Sequence, residues 1–171
     1  MAWGQTGLAT SSGWFSGIGA GFAPLHIEEL IADDQLAAGA TAISPTFSLR
    51  TGWVVQHYAI YLMTEQNLYV NEAQDTSTSG LTGLGISYLV PGLNDWYLSA
   101  GAGLASKTVI GDDAFATGTG LQIGVGRPLS QHVTLEMNYS YLSLDSVAVP
   151  FAVGERETIT SLQFNLLFLW Y

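Results

Sequence analysis

The stretch Val133-Thr-Leu-Glu-Met-Asn-Tyr-Ser-Tyr141 decides how the chain folds. Val133, Leu135, Met137, Tyr139 and Tyr141 are apolar or aromatic, while Thr134, Glu136, Asn138 and Ser140 between them are polar. A β-strand turns successive side chains to opposite faces, so this period of two predicts a strand with one apolar and one polar face. A half-buried strand of a soluble protein reads the same way, so one strand decides little. The repetition decides. Leu162, Phe164, Leu166, Phe168 and Trp170 alternate with Ser161, Gln163 and Asn165. Phe47, Leu49 and Trp53 alternate with Ser48, Arg50 and Gly52, and Leu84, Ile86 and Tyr88 alternate with Gly83, Gly85 and Ser87. Trp96, Leu98 and Leu104 alternate with Tyr97, Ser99 and Gly103, and Leu121, Ile123 and Val125 alternate with Gln122, Gly124 and Gly126.

Composition chooses between water and lipid as the solvent of the apolar face. Of the 171 residues 48% are hydrophobic and only 11% are charged, against about 25% charged in a soluble domain. No apolar run reaches the roughly 18 residues that a membrane helix needs. In lipid every backbone N–H and C=O must be bonded internally, and the alternative to helices is a closed barrel. A soluble β-sandwich is the competing reading. The chain has no cysteine, which excludes disulfides and thiolate metal sites. Met1-Ala2-Trp3-Gly4 has neither a basic start nor a hydrophobic segment, so the expectation is a mature sequence rather than one that carries a leader.

Eight strands are expected, near 13–23, 44–54, 57–70, 79–90, 95–106, 116–127, 132–143 and 157–170. Each has about the length that a tilted strand needs to cross a bilayer. Tight connections at Val55-Gln56, Pro91–Asn94 and Pro128–Gln131 alternate with long ones at 24–43, 71–78, 107–115 and 144–156. The expectation is an all-β, eight-stranded, antiparallel up-and-down transmembrane barrel with short periplasmic turns and longer acidic outer loops. Residues 1–12 are expected to be a periplasmic segment and 13–171 the barrel. Of the 14 acidic residues, all but Glu65, Asp95 and Glu136 fall in the long connections or at their junctions with strands. Glu28, Glu29, Asp33, Asp34, Asp112 and Asp113 are the expected outer acidic rim. Trp14, Trp53, Tyr58, Tyr69, Trp96 and Trp170 lie near strand ends and suit interfacial girdles.

The C-terminal stretch Gln163-Phe-Asn-Leu-Leu-Phe-Leu-Trp-Tyr171 resembles the terminal signal of outer-membrane proteins, with Tyr171 out of phase. Gly13-Trp-Phe-Ser-Gly-Ile-Gly-Ala-Gly-Phe22 is similar to first strands of the OmpA, OmpX and OmpW group of small barrels. The resemblance is one of pattern and spans residues 13–171. It implies a bacterial outer-membrane location, contact with lipid and lipopolysaccharide, and an envelope protein partner met through the loops.

Function is less legible than fold. Arg50, Glu65 and Glu136 face inward on this register, and the interior of an eight-stranded barrel is just wide enough for side chains to fill. They are expected to form a structural ion-pair cluster in the lumen, a reading that fails if Arg50 stands more than about 6 Å from both glutamates. A gate or ion path is the sharper alternative. Many glycines face inward, which makes room for Phe15, Tyr61, Met63, Tyr97 and Arg50, or leaves a small cavity for an apolar ligand as in OmpW-like barrels. His132, Thr134 and Glu136 on one strand face are the nearest approach to a base, hydroxyl and carboxylate set. His26, Asp33, Asp34 and Ser44 share one region without a motif. Neither supports catalysis against the plainer reading, and the chain is expected to be no enzyme. The segment Leu25–Ala38 has partial helical spacing, so a short rim helix and an extension of strands one and two both stay open.

No metal or cofactor is called for, because Asp33-Asp34 and Asp112-Asp113 lack calcium-loop spacing. A net charge of −10 with four Lys and Arg excludes a nucleic-acid surface. The leading expectation is a non-enzymatic surface or structural barrel. A narrow channel or carrier for a small apolar molecule comes second, and a lipid-modifying enzyme third.

Overall fold

In a computed structural model the chain closes into a barrel of eight antiparallel strands, each paired with its neighbours in chain order. The structure describes residues 12–31, 35–70, 75–93, 95–111, 115–146 and 156–171. The strands are β1 (Gly13–Ile31), β2 (Gln35–Val55), β3 (Tyr58–Val70), β4 (Thr76–Leu89), β5 (Tyr97–Val109), β6 (Phe115–Pro128), β7 (Val133–Ser146) and β8 (Arg156–Trp170). None of the described residues is helical.

The register fixes the shape. Directly opposed residues lead from Phe15 through Gly52, Tyr61, Gly85, Gly101, Gln122, Ser140 and Ser161 back to β1 at Leu25. The sheet therefore closes with a stagger of ten residues, and such closure tilts the strands by roughly 35–45° to the axis. The tight turns and Tyr171 lie at one end, called here the turn end, and the long connections at the other, the loop end. At the turn end Gln56 (φ 55°) and His57 make a two-residue link. Gly92 (φ 86°) and Asp95 (φ 68°) take left-handed backbone between β4 and β5, which glycine and aspartate tolerate better than most residues.

Period two in the sequence becomes inside and outside. Leu62, Leu84, Leu104, Leu121 and Ile123 project outward and are exposed, Leu104 to 73%. An apolar exterior around the whole barrel is a surface that water does not favour and a bilayer covers. At the turn end Trp14 stands edge-on to Trp53, Tyr58 lies against Tyr88, and Arg127 sits over the Trp96 ring. Inward glycines seat large side chains. A Cβ at Gly85 would strike the Tyr61 ring, one at Gly126 the Tyr97 ring, and one at Gly101 the Met63 methyl.

Two expectations change. Tyr69, read as an interfacial girdle residue, is buried inside at 3% exposure, because it shares the parity of Glu65 on β3 and not that of Tyr58. The long connection expected at 24–43 is mostly strand, since β1 runs to Ile31 and β2 starts at Gln35. The hairpin continues as an unbroken ladder from Gly13↔Val54 to Glu29↔Ala38 and shifts register only at Glu29/Leu30. The helical spacing of Ile27, Leu30 and Ile31 loses to pairing on both sides, with β2 and with β8 as far as Leu30↔Arg156. Glu28 and Glu29 thus belong to β1. Asp33, Asp34, Asp112 and Asp113 lie outside the described residues.

Candidate functional site

The middle of the lumen holds a charged cluster. Alternation aims Arg50 of β2, Glu65 of β3 and Glu136 of β7 at the axis. They are exposed by only 5%, 3% and 2%. Arg50 donates through Nη1 to Glu136 Oε1 (2.6 Å) and through Nη2 to Glu65 Oε1 (2.9 Å). One guanidinium therefore bridges two carboxylates carried by strands far apart around the barrel.

Neutral donors complete both carboxylates. Gln122 Nε2 donates to Glu65 Oε2 at 2.8 Å, and Asn138 Nδ2 to Glu136 Oε2 at 3.1 Å. The Tyr97 hydroxyl donates to Glu136 Oε1. The Arg50 guanidinium also lies 5.2 Å from the centre of the Tyr61 ring. Tyr61 is held in turn by Phe15, edge-on at 6.0 Å, and by a 3.1 Å hydrogen bond with Ser87. Arg50 Nε alone in this group has no partner. Charges taken out of water are tolerable only when their hydrogen-bonding capacity is met, as it is for both glutamates.

Toward the loop end the lining turns polar and then mixed, apolar on β1 and β6 to β8 and polar on β2 to β4. Thr46 donates to Asn165, and Ser140 and Ser161 share a 2.6 Å hydrogen bond. Beyond them Leu25, Leu81, Leu142, Leu144 and Ile159 point inward with exposures of 2% or less. These bulky side chains pack into one cluster, a plug that buried Ser44, Asn67, Ser77 and Ser79 of β2 to β4 complete. Beyond the plug Lys107 donates to both oxygens of Glu157 at 2.7 Å. At the rim Arg156 stands 3.5 Å from Asp145. Toward the turn end a cavity of about 30 Å³ lies beneath Arg50, walled by Phe15, Val54, Leu89, Leu167 and Leu169.

Sequence reasoning brought Arg50, Glu65 and Glu136 to the lumen and did not reach their neutral partners. Parity was the available signal, since Tyr97 and Gln122 stand on inward positions. Lys107 fell in an expected connection, although it keeps the inward parity of Tyr97.

The histidine candidates do not assemble. His132 Nδ1 is 2.9 Å from the Leu169 carbonyl oxygen, so that nitrogen carries the proton and donates. Glu136 is engaged by Arg50, Tyr97 and Asn138 instead. His26 faces outward and meets Glu28 at 3.1 Å, whereas Ser44 faces inward, donating to the carbonyl oxygens of Leu68 and Pro45. Among the described residues no group of three or more His, Asp or Glu is placed to hold a metal ion.

A closed eight-stranded barrel with an apolar exterior and a side-chain-filled lumen is the architecture of the small outer-membrane barrel proteins. Several solved structures of that class resemble the chain. The chain is similar to Neisserial surface protein A, at 17% identity and a TM-score of 0.58 over 92% of this chain and 98% of that one. It is similar to the outer membrane protein OprG of Pseudomonas aeruginosa, at 12% identity and a TM-score of 0.55 over 96% and 99%. It is also similar to Ail, the attachment invasion locus protein of Yersinia pestis, at 15% identity and a TM-score of 0.51 over 90% and 98%. At these identities the likeness is one of fold. No protein-family model and no curated protein sequence matches the chain.

Proposed function

We propose that the chain is a non-enzymatic barrel of a bacterial outer membrane that works at the cell surface through its loop end. It acts there as a structural or binding protein, alone or within an envelope assembly. The observation that carries this reading is the filled lumen: the Arg50–Glu65–Glu136 cluster, followed by the plug of Leu25, Leu81, Leu142, Leu144 and Ile159. A barrel whose lumen is packed in this way has its exterior and its ends left to work with. On this reading the charged cluster is structural rather than a gate. The turn end and residues 1–12 are periplasmic. Glu28, Glu29, Asp33, Asp34, Asp112 and Asp113 form a solvated outer rim, and the apolar band meets lipid and lipopolysaccharide.

Two experiments test it. In planar bilayers the purified barrel is expected to give no stepwise single-channel current, and a steady conductance would overturn the filled-lumen reading. Because the chain has no cysteine, single cysteines report sidedness. Gly39→Cys at the loop end is expected to react with a membrane-impermeant maleimide on intact cells. Ser130→Cys at the turn end is expected to react only after the outer membrane is permeabilised. The reverse pattern sinks the assigned orientation.

A carrier for a small apolar molecule is the second reading, and the cavity beneath Arg50 is its natural seat. At about 30 Å³ that cavity holds about two water molecules. An organic ligand does not fit without displacing Phe15 or Leu169.

A further inference from the structure

The four Lys and Arg side chains of the chain divide three to one. Arg50, Lys107 and Arg156 each hold a carboxylate. Arg127, at the turn end of β6, is in no ion pair among the described residues, and Asp95 in the neighbouring turn does not reach it. Its side chain is exposed on the outer face, directly opposed to the outward Leu135 of β7. The guanidinium lies over the Trp96 ring, 5.9 Å from its centre. The β4–β5 turn holds Trp96 in place: its N–H donates to the Leu93 carbonyl oxygen, and its own carbonyl oxygen accepts from the Val90 N–H, both at 2.9 Å.

The stagger of the barrel sets the depth of this pair. From β1 to β8 directly opposed residues climb toward the loop end, by ten residues in eight steps. One step past Tyr97↔Gly126, Trp96 comes opposite Arg127, so Trp96 lies about 3 Å nearer the turn end. Arg127 is therefore rooted on the lipid side of the aromatic girdle, and its long side chain leans back over Trp96 toward the interface. Because the strands tilt, a line parallel to the barrel axis meets each next strand about two residues beyond the opposed position. From Arg127 that line runs toward the loop end to Met137 of β7, two residues past Leu135, and then to Leu162 of β8, two residues past Phe164. The cation thus stands at the foot of an outward apolar column.

We infer that Arg127 and Trp96 form a binding site for the phosphate of an anionic phospholipid in the periplasmic leaflet, with an acyl chain along Met137 and Leu162. The inference rests on the membrane reading and on its assignment of the turn end to the periplasm, where the facing leaflet is phospholipid and not lipopolysaccharide. A cation among apolar neighbours at this depth needs an anion, and the protein supplies none. The contact with the Trp96 ring takes up none of the guanidinium N–H donors, which arginine offers to phosphate in pairs. A headgroup of net negative charge is favoured over a zwitterionic one, because no carboxylate neutralises Arg127.

The test uses the unaltered chain in phosphatidylcholine vesicles that contain a trace of phosphatidylglycerol with a photoreactive diazirine near the carbonyl end of one acyl chain. Both leaflets carry the probe, so the direction of insertion does not matter. Adducts are mapped to residues by mass spectrometry. Labelling at residues 125–127 and 135–137 is expected to exceed, several-fold, that at Trp53 and Ile60, an outward pair at the turn end with no cation beside it. Arg127→Gln is expected to remove the excess and leave the labelling of Trp53 and Ile60 unchanged. The same probe with a phosphatidylcholine headgroup is expected to label both places alike. Even labelling by the phosphatidylglycerol probe overturns the inference and leaves the membrane reading intact. An excess that survives Arg127→Gln, or an equal excess with the phosphatidylcholine probe, does the same. A reversed maleimide pattern at Gly39→Cys and Ser130→Cys overturns the choice of phospholipid over lipopolysaccharide. No labelling anywhere on the exterior overturns the membrane reading itself.

Discussion

The middle of the lumen and its loop-end mouth both pair opposite charges, but they do so under different solvation. At the middle, Arg50, Glu65 and Glu136 have side chains exposed by 4%, 3% and 1%. At the mouth Lys107 and Glu157 are exposed by 10% and 13%, and on the rim Arg156 and Asp145 by 56% and 72%. The three sets form a series in which water is progressively readmitted. Charge pairs in water contribute little, and buried ones are held in place mainly by what it costs to break them. The cost of removing the cation should therefore fall along the series.

Arg50→Met sits at the top of it. The substitution keeps the bulk and leaves two carboxylates buried side by side with no cation. Unfolding by urea in phospholipid vesicles, followed by tryptophan fluorescence, is expected to show a loss of about 3–5 kcal/mol. A loss under about 1 kcal/mol, the range of an exposed pair, would mean that water reaches the cluster and would erase the contrast with the mouth. The combined variant Arg50→Met, Glu65→Leu, Glu136→Leu sharpens the same point. Removing all three charges removes the desolvation cost with the attraction, so more than half of the single-variant loss is expected to return. Full recovery is not expected, because Tyr97, Gln122 and Asn138 lose their acceptors.

The contrast also explains which parts of the molecule the sequence made legible. Within the bilayer span each strand has lipid on one side and a polar lumen on the other, and the two solvents write themselves as period two. That is why Arg50, Glu65 and Glu136 could be turned inward from parity alone. Past Phe22 on β1 and before Ser44 on β2 the alternation fades. Leu25 and Ile27 face inward there, and His26 faces outward. The outer side no longer demands apolar residues, so the hairpin beyond this point reads as a loop or as a short helix. The pairing of Lys107 with Glu157 was hidden for another reason. It joins β5 to β8 across the lumen, and only the closed register with its ten-residue stagger brings those two strand ends to one level. Tyr69 lies near a strand end but has inward parity, so nearness to a strand end does not by itself mark a girdle residue.

Lys107→Met is the middle step. Glu157 keeps partial access to the loop-end solvent, so its carboxylate recovers some hydration when Lys107 is removed. The expected loss in the same urea titration is roughly 1.5–3 kcal/mol, the scale of a charge-assisted hydrogen bond. If Lys107→Met costs as much as Arg50→Met, the mouth is as dry as the middle and the described plug of Leu142 and Leu144 extends past Glu157. If it costs nothing, the plug alone separates the lumen from the loop-end solvent.

Arg156→Ala gives the smallest effect and the sharpest control. Its 3.5 Å contact with Asp145 joins β8 to β7 at directly opposed positions on the exposed rim. Ion pairs of this kind gain little, because water already solvates both partners and holding two side chains together costs entropy. The expected loss is below about 1 kcal/mol, and it is expected to fade toward zero as salt rises to about 1 M, where the screening length is roughly 3 Å. The Arg50→Met loss, in contrast, is expected to persist at that salt, since ions do not enter a filled lumen. Salt thus separates two readings of the charged middle that geometry leaves alike. A sealed structural cluster ignores the ionic strength outside, and a gate in contact with the aqueous phase answers to it.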